Sequence, residues 1–320
     1  MAKEKSRSQG IGGDKAFIPL PDQYRRESAK KGVIESIYYE LASLVNGTSK
    51  HANVYLPYGY NQADKEKSYK VFYLLHGGGE DENLLFGGPG ENRELKNILD
   101  NMIANGDIEP LIVVTPTFYG DKKKRENDPV LSHVQGLDHP LPIVETDFFY
   151  EELVEDLIPY VETRYNSYLL SKDEKGIKAS RAYRAIGGFS MGSVATWSTF
   201  LKALDYIKYF VPLCGDCWAL AQRGGGEKAV ETAELLAKAS KDAGFSSKDF
   251  YLLCACGKED IAYPNMKPQI EAMKEIGDPF VYGSDLNEAN LYFIEADGGV
   301  HNWHWVNQFI YNVLPDLFRA

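Results

Sequence analysis

The sequence predicts an α/β fold: a mainly parallel central sheet with helices on both faces and an antiparallel hairpin at the N-terminal end. Three observations carry this. From Val71 onward, short continuous apolar runs alternate with amphipathic helical stretches, the pattern of a parallel sheet buried on both sides. A serine lies between glycines where one such run gives way to helical spacing, at Gly187-Gly188-Phe189-Ser190-Met191-Gly192. Nothing in the 320 residues repeats or reads as a linker, so residues 32–320 are expected to form a single domain.

The first 32 residues hold eight Lys/Arg against four Asp/Glu without apolar periodicity. Residues 1–31 are therefore expected to be a solvated, flexible tail. Val33 to Val45 and Ala52 to Leu56 are β-like runs around Asn46-Gly47, a dipeptide suited to a hairpin turn. The same Asn46-Gly47-Thr48 matches a glycosylation sequon. Val71 to Leu75 and Leu111 to Thr115 read as buried strands flanking a helix from Glu94 to Asn105. Residues 121–147 are polar and broken by Pro129, Pro140 and Pro142, and predict a long surface loop. Phe149, Leu153, Leu157 and Val161 recur every four residues, giving a helix from Phe148 to Tyr165 that Pro159 should kink or end. Tyr183 to Ile186 is strand-like, and helical spacing follows Ser190. Strands at Tyr209–Leu213, Phe250–Cys256 and Leu291–Glu295 then alternate with helices at Glu227–Ala243, Asn265–Ile276 and Trp303–Leu314.

A formal net charge of −11 argues against a nucleic-acid partner, which requires clustered cations. No run of 18 apolar residues is present to span a membrane, and no apolar signal-peptide core is visible. Cys214/Cys217 and Cys254/Cys256 lie at or just after β-like runs. They read first as small buried side chains, the alternatives being a disulfide between the two segments or a metal site. No metal is expected.

The glycine-flanked serine has the G-x-S-x-G form and the strand-to-helix setting of a nucleophile elbow. A serine hydroxyl attacks only if a base takes its proton and a third group orients that base. Only His301 and His304 follow Ser190. His301, after Gly298-Gly299-Val300 beyond the last strand, can reach the sheet's C-terminal edge, whereas His304 reads as an exposed helix residue. The acid is assigned to Asp260, after the Cys256 strand, with Asp216 as the alternative; the side chain of Glu259 should point elsewhere. Oxyanion donors are expected from Met191 N–H and from the His76-Gly77-Gly78-Gly79 loop, through Gly78 and Gly79. No G-K-[ST] follows, which argues against a phosphate cradle. His76 itself reads as structural.

With these residues placed, the chain resembles the feruloyl esterases of carbohydrate esterase family one, which are esterase D-like α/β-hydrolases. The resemblance runs from about Gly32 to Phe318 and includes Asn53 to Tyr60, the His76 glycine loop and Glu109 to Thr117. It also includes Gly188 to Gly192, Gly215-Asp216, Glu259 to Tyr263 with Asn265-Met266, and the end around Tyr311 and Leu314-Pro315. It places the triad on Ser190, Asp260 and His301. It implies a cofactor-free hydrolase of ferulate esters on arabinoxylan or of small hydroxycinnamate esters, and secretion. An acetylxylan esterase, an acyltransferase of the same fold and a non-catalytic carbohydrate-binding relative remain alternatives. Among Phe118, Tyr119, Trp218, Trp303 and Trp305, all expected near the catalytic edge, Trp218 and Trp303 are assigned to the aromatic slot.

Overall fold

A computed structural model describes residues 13–41, 48–120 and 141–319. Its strands are β1 (Val33–Leu41), β2 (Thr48–Leu56), β3 (Lys70–Leu75), β4 (Leu111–Pro116), β5 (Arg184–Phe189), β6 (Tyr209–Leu213), β7 (Tyr251–Gly257) and β8 (Leu291–Ala296). They form one sheet in the order β1-β2-β4-β3-β5-β6-β7-β8. β1 pairs antiparallel with β2, and β2 antiparallel with β4; from β4 onward every pairing is parallel. This is the α/β-hydrolase arrangement the sequence predicts. Every residue of β5, β6 and β7 is buried, which requires cover on both faces. β1, at the edge, alternates buried with exposed positions.

The helices are α1 (Asp22–Arg25), α2 (Glu94–Ala104), α3 (Leu141–Glu152), α4 (Ile158–Arg164), α5 (Glu174–Ala179), α6 (Met191–Ala203), α7 (Gly224–Glu227), α8 (Ala229–Asp242), α9 (Tyr263–Ile276) and α10 (Trp303–Val313). α2 contacts α1 and α10, whereas α6 contacts α3 and α8, and α8 contacts α9. These two groups are the layers on either side of the sheet. Among the described residues, no helix is long and apolar enough to cross a membrane.

Three expectations change. Residues 13–31 are packed, not solvated. Leu20 and Tyr24 are buried, the Tyr24 hydroxyl donates to Asp107 at 2.6 Å, and Ile18 and Asn312 exchange two hydrogen bonds of 2.8 Å. The helix expected from Phe148 begins at Leu141, so only 121–140 of the expected long loop, like the Asn46-Gly47 turn and the sequon, lies outside the described residues or at their edge. Pro159 does not end the helix: a π-helical turn, Leu153–Leu157, joins α3 to α4, whose first turn holds the proline. A widened turn absorbs both the missing N–H and the ring's clash with the carbonyl four residues back.

Candidate active site

β5 runs straight into α6 through Ser190, whose backbone lies at φ 55° and ψ −112°. A non-glycine residue there stores on the order of 1–3 kcal/mol, and the surroundings hold it. Ser190 N–H donates to the Leu213 carbonyl of β6 at 3.0 Å, and its carbonyl accepts from Val194 at 3.1 Å, starting the helix. The flanking glycines are there for close approach. A β-carbon on Gly188 would lie 2.6 Å from the Gly192 carbonyl carbon, and one on Gly192 would lie 2.6 Å from the His76 carbonyl oxygen. Only bare backbone lets the turn pack against the oxyanion loop.

The β7 and β8 loops bring the other two groups. They are stitched together by Lys258 N–H to the Ala296 carbonyl at 2.9 Å and Glu259 N–H to the Gly299 carbonyl at 3.0 Å. The Ser190 hydroxyl lies 2.9 Å from His301 Nε2, and His301 Nδ1 lies 2.7 Å from Asp260 Oδ1. A carboxylate can only accept, so Nδ1 carries the proton and Nε2 is left as the base for the hydroxyl. The Asp260 side chain has no exposure, while that of His301 is 20% exposed, at the mouth of the site. Phe189 packs on the imidazole at 4.4 Å between ring centroids. The structure thus brings Ser190, Asp260 and His301 into one line.

The alternatives fall elsewhere. Asp216 accepts from Trp218 Nε1 at 3.0 Å and from Gly225 N–H at 2.9 Å, and burial raises its pKa. It anchors its own loop. Glu259 and His304 are exposed. His76 is buried, with Nδ1 2.7 Å from the Gly77 carbonyl and Nε2 2.8 Å from the Thr117 hydroxyl. The carbonyl makes Nδ1 the donor, so Nε2 accepts from threonine, and burial keeps the ring neutral by lowering its pKa.

In the glycine loop, Gly77 N–H donates to Glu80 Oε2 at 2.7 Å and Gly79 N–H to the Tyr119 hydroxyl at 2.8 Å. The expectation for Gly79 is therefore corrected: its amide is engaged by a tyrosine. The amides of Gly78 and Met191 have no acceptor among the described residues. The two residues touch: a β-carbon on Gly78 would stand 3.0 Å from Met191 Cγ. Free amides on two touching residues, one of them next to the nucleophile, have the form of an oxyanion hole.

Of the aromatics, Trp303 is half-buried, donates Nε1 to Glu80 Oε1 at 2.8 Å and packs edge-on against Phe189 at 5.1 Å. Trp218 is half-buried and fixed by Asp216. Trp303 thus stands next to the ring that packs on His301, and the N–H groups of both tryptophans are already spent. Phe118 is buried against His76 at 4.6 Å. Trp305 packs on Phe17 and Phe309. All four cysteines are free, buried thiols. The spatial neighbour of Cys214 is Cys256, which with Asp260 forms a three-residue cluster of potential ligand atoms.

Sequence reasoning missed Glu80, which ties the oxyanion loop to α10 through a partner 223 residues away. A carboxylate three residues past Gly77 was the only local cue.

Comparison with known proteins matches residues 43–212 to the family model Esterase, described as "Putative esterase". The chain is similar to endo-1,4-beta-xylanase Y of Acetivibrio thermocellus, at 41% identity over 95% of this chain and 25% of that one. It is also similar to an endo-1,4-beta-xylanase/feruloyl esterase of Xylanibacter ruminicola, at 31% identity over 62% of this chain and 24% of that one. It therefore spans about a quarter of the length of these curated relatives. Among solved structures it resembles a serine-to-alanine variant of the feruloyl esterase module from Clostridium thermocellum complexed with sinapinate. That likeness has a TM-score of 0.81 and 39% identity, covering 98% of this chain and 97% of the other.

Proposed function

This chain belongs to the esterase family, and from that premise we propose that it hydrolyses hydroxycinnamate esters, releasing ferulate and related acids from arabinoxylan side chains. One observation carries the chemistry: the unbroken hydrogen-bonded line from the Ser190 hydroxyl through His301 to buried Asp260, beside the free Gly78 and Met191 amides. The relatives' names, and the sinapinate complexed with one of them, support the substrate class.

In this mechanism His301 Nε2 takes the Ser190 proton as the oxygen attacks the ester carbonyl. The Gly78 and Met191 N–H groups receive the oxyanion. His301 gives its proton to the departing sugar alcohol, leaving ferulate esterified to Ser190. Water, deprotonated by His301, then attacks the same carbonyl and frees the acid. Trp218 and Trp303 flank the acyl ring, with Trp303 held by Glu80 so that slot and oxyanion loop keep a fixed relation. Because arabinoxylan is a wall polymer, the enzyme meets it outside the cell, and secretion belongs to the same proposal.

Methyl ferulate and methyl acetate share a leaving group and differ only in the acyl part. Burying ~150 Å² of aromatic surface at ~25 cal/mol/Å² favours the feruloyl ester by several kcal/mol. The expected kcat/KM ratio is therefore about 100-fold or more. Equal rates, or faster acetate release, would point to an acetyl esterase. Failure of a fluorophosphonate to label Ser190 would count against any serine hydrolase.

A further inference from the structure

Two thiols stand behind the triad acid. The Cys214 and Cys256 sulfurs and a carboxylate oxygen of Asp260 all lie within 4.8 Å of one another, and all three residues are buried. Asp260 Oδ1 is occupied twice at 2.7 Å, by His301 Nδ1–H and by Ala262 N–H. Oδ2 is buried and receives no conventional hydrogen bond among the described residues. Leaving a buried carboxylate oxygen bare is costly, and the Cys214 thiol is within hydrogen-bonding reach of this carboxylate. Cys214 also occupies φ 50°, a conformation that glycine would adopt with less strain. Burial first, then Cys256 and the Asp260 charge, push its pKa well above the ordinary thiol range, so it keeps its proton.

We propose that Cys214 is a positioning residue: its S–H donates to Asp260 Oδ2, Cys256 S–H donates to the Cys214 sulfur, and the carboxylate is thereby fixed with Oδ1 on His301. A carboxylate committed to an imidazole, beside two protonated thiols, is a hydrogen-bonding set and not a metal site. The titratable groups facing Asp260 are His301, Cys214 and Cys256. Glu295, beyond Cys256, is engaged by Tyr263 and Lys267, and Glu259 is exposed.

The inference rests on Ser190, His301 and Asp260 acting as proposed above, and its test separates the two. Full-length Cys214→Ala, Cys214→Ser and Cys217→Ala chains are compared with the unmodified protein on methyl ferulate across pH. Losing the donor concentrates charge on Oδ1 and favours the imidazolium. Cys214→Ala should therefore lower kcat/KM about tenfold and move its acid limb up by about half a pH unit or more. Cys214→Ser, which keeps a donor, should bring the limb back. Cys217→Ala, which removes a buried thiol outside the cluster, should leave the limb in place. An unmoved limb in Cys214→Ala, or no return in Cys214→Ser, overturns the proposal. If the alanine chain does not fold, infrared spectra decide: the S–H band lost in Cys214→Ser must be displaced below those of the other thiols, and an undisplaced band overturns it. An active Ser190→Ala enzyme would defeat the triad assignment itself, whereas an inactive one with an unmoved Cys214→Ala profile defeats this inference alone.

Discussion

Asp216 and Asp260 both follow parallel strands, and both are buried. Their partners set their roles. Asp216 spends its two oxygens on Trp218 and the Gly225 amide, while Asp260 gives Oδ1 to His301. An amide at position 260 would present the wrong tautomer to Ser190, so Asp260→Asn should lower kcat by ~10⁴ with the fold retained. Asp216→Asn should keep kcat within about tenfold and raise KM instead, because it loosens Trp218. Steady-state kinetics on methyl ferulate separate the two, and a larger kcat loss in Asp216→Asn would reverse the assignment. Chain order admits both aspartates; the choice needs His301 and Gly225, which only folding brings near.

The oxyanion loop and α10 act as one unit because Glu80 bridges Gly77 N–H and Trp303 Nε1. A glutamine there has one accepting oxygen and would turn its NH₂ toward a second donor, so one of the two bonds must be lost. Glu80→Gln should cut kcat about tenfold or more with a smaller change in KM, since it loosens the loop that carries the Gly78 amide, which serves the developing oxyanion. Unchanged kcat would show the bridge to be incidental. Most elements were legible from apolar runs, because strands buried on both faces write themselves as unbroken hydrophobic stretches. The start of α3 was not legible. Pro140 and Pro142 read as breakers, yet a proline in a helix's first turn loses no hydrogen bond. The π turn before Pro159 was equally hidden, since periodicity cannot register one extra residue per turn.

On the scale of the whole molecule, the sheet's C-terminal edge gathers loops from β3, β5, β7 and β8 into one site, and the triad followed from strand ends taken in order. The N-terminal segment was misread because its charge masks two inward-facing anchors, Leu20 and Tyr24. They seal α2 and α10, with Tyr24 meeting Tyr311 at 5.1 Å between centroids. At about 2 kcal/mol for each buried side chain, a chain beginning at Gly32 should melt about 5 °C or more below one beginning at Gly13. Equal melting temperatures would show these contacts to be dispensable. The most direct measurement of all is ferulate release from methyl ferulate by Ser190→Ala under single-turnover and steady-state conditions. A rate at least ~10⁴-fold below that of the unmodified enzyme, with unchanged melting, is expected; turnover within tenfold would mean that another group performs the attack.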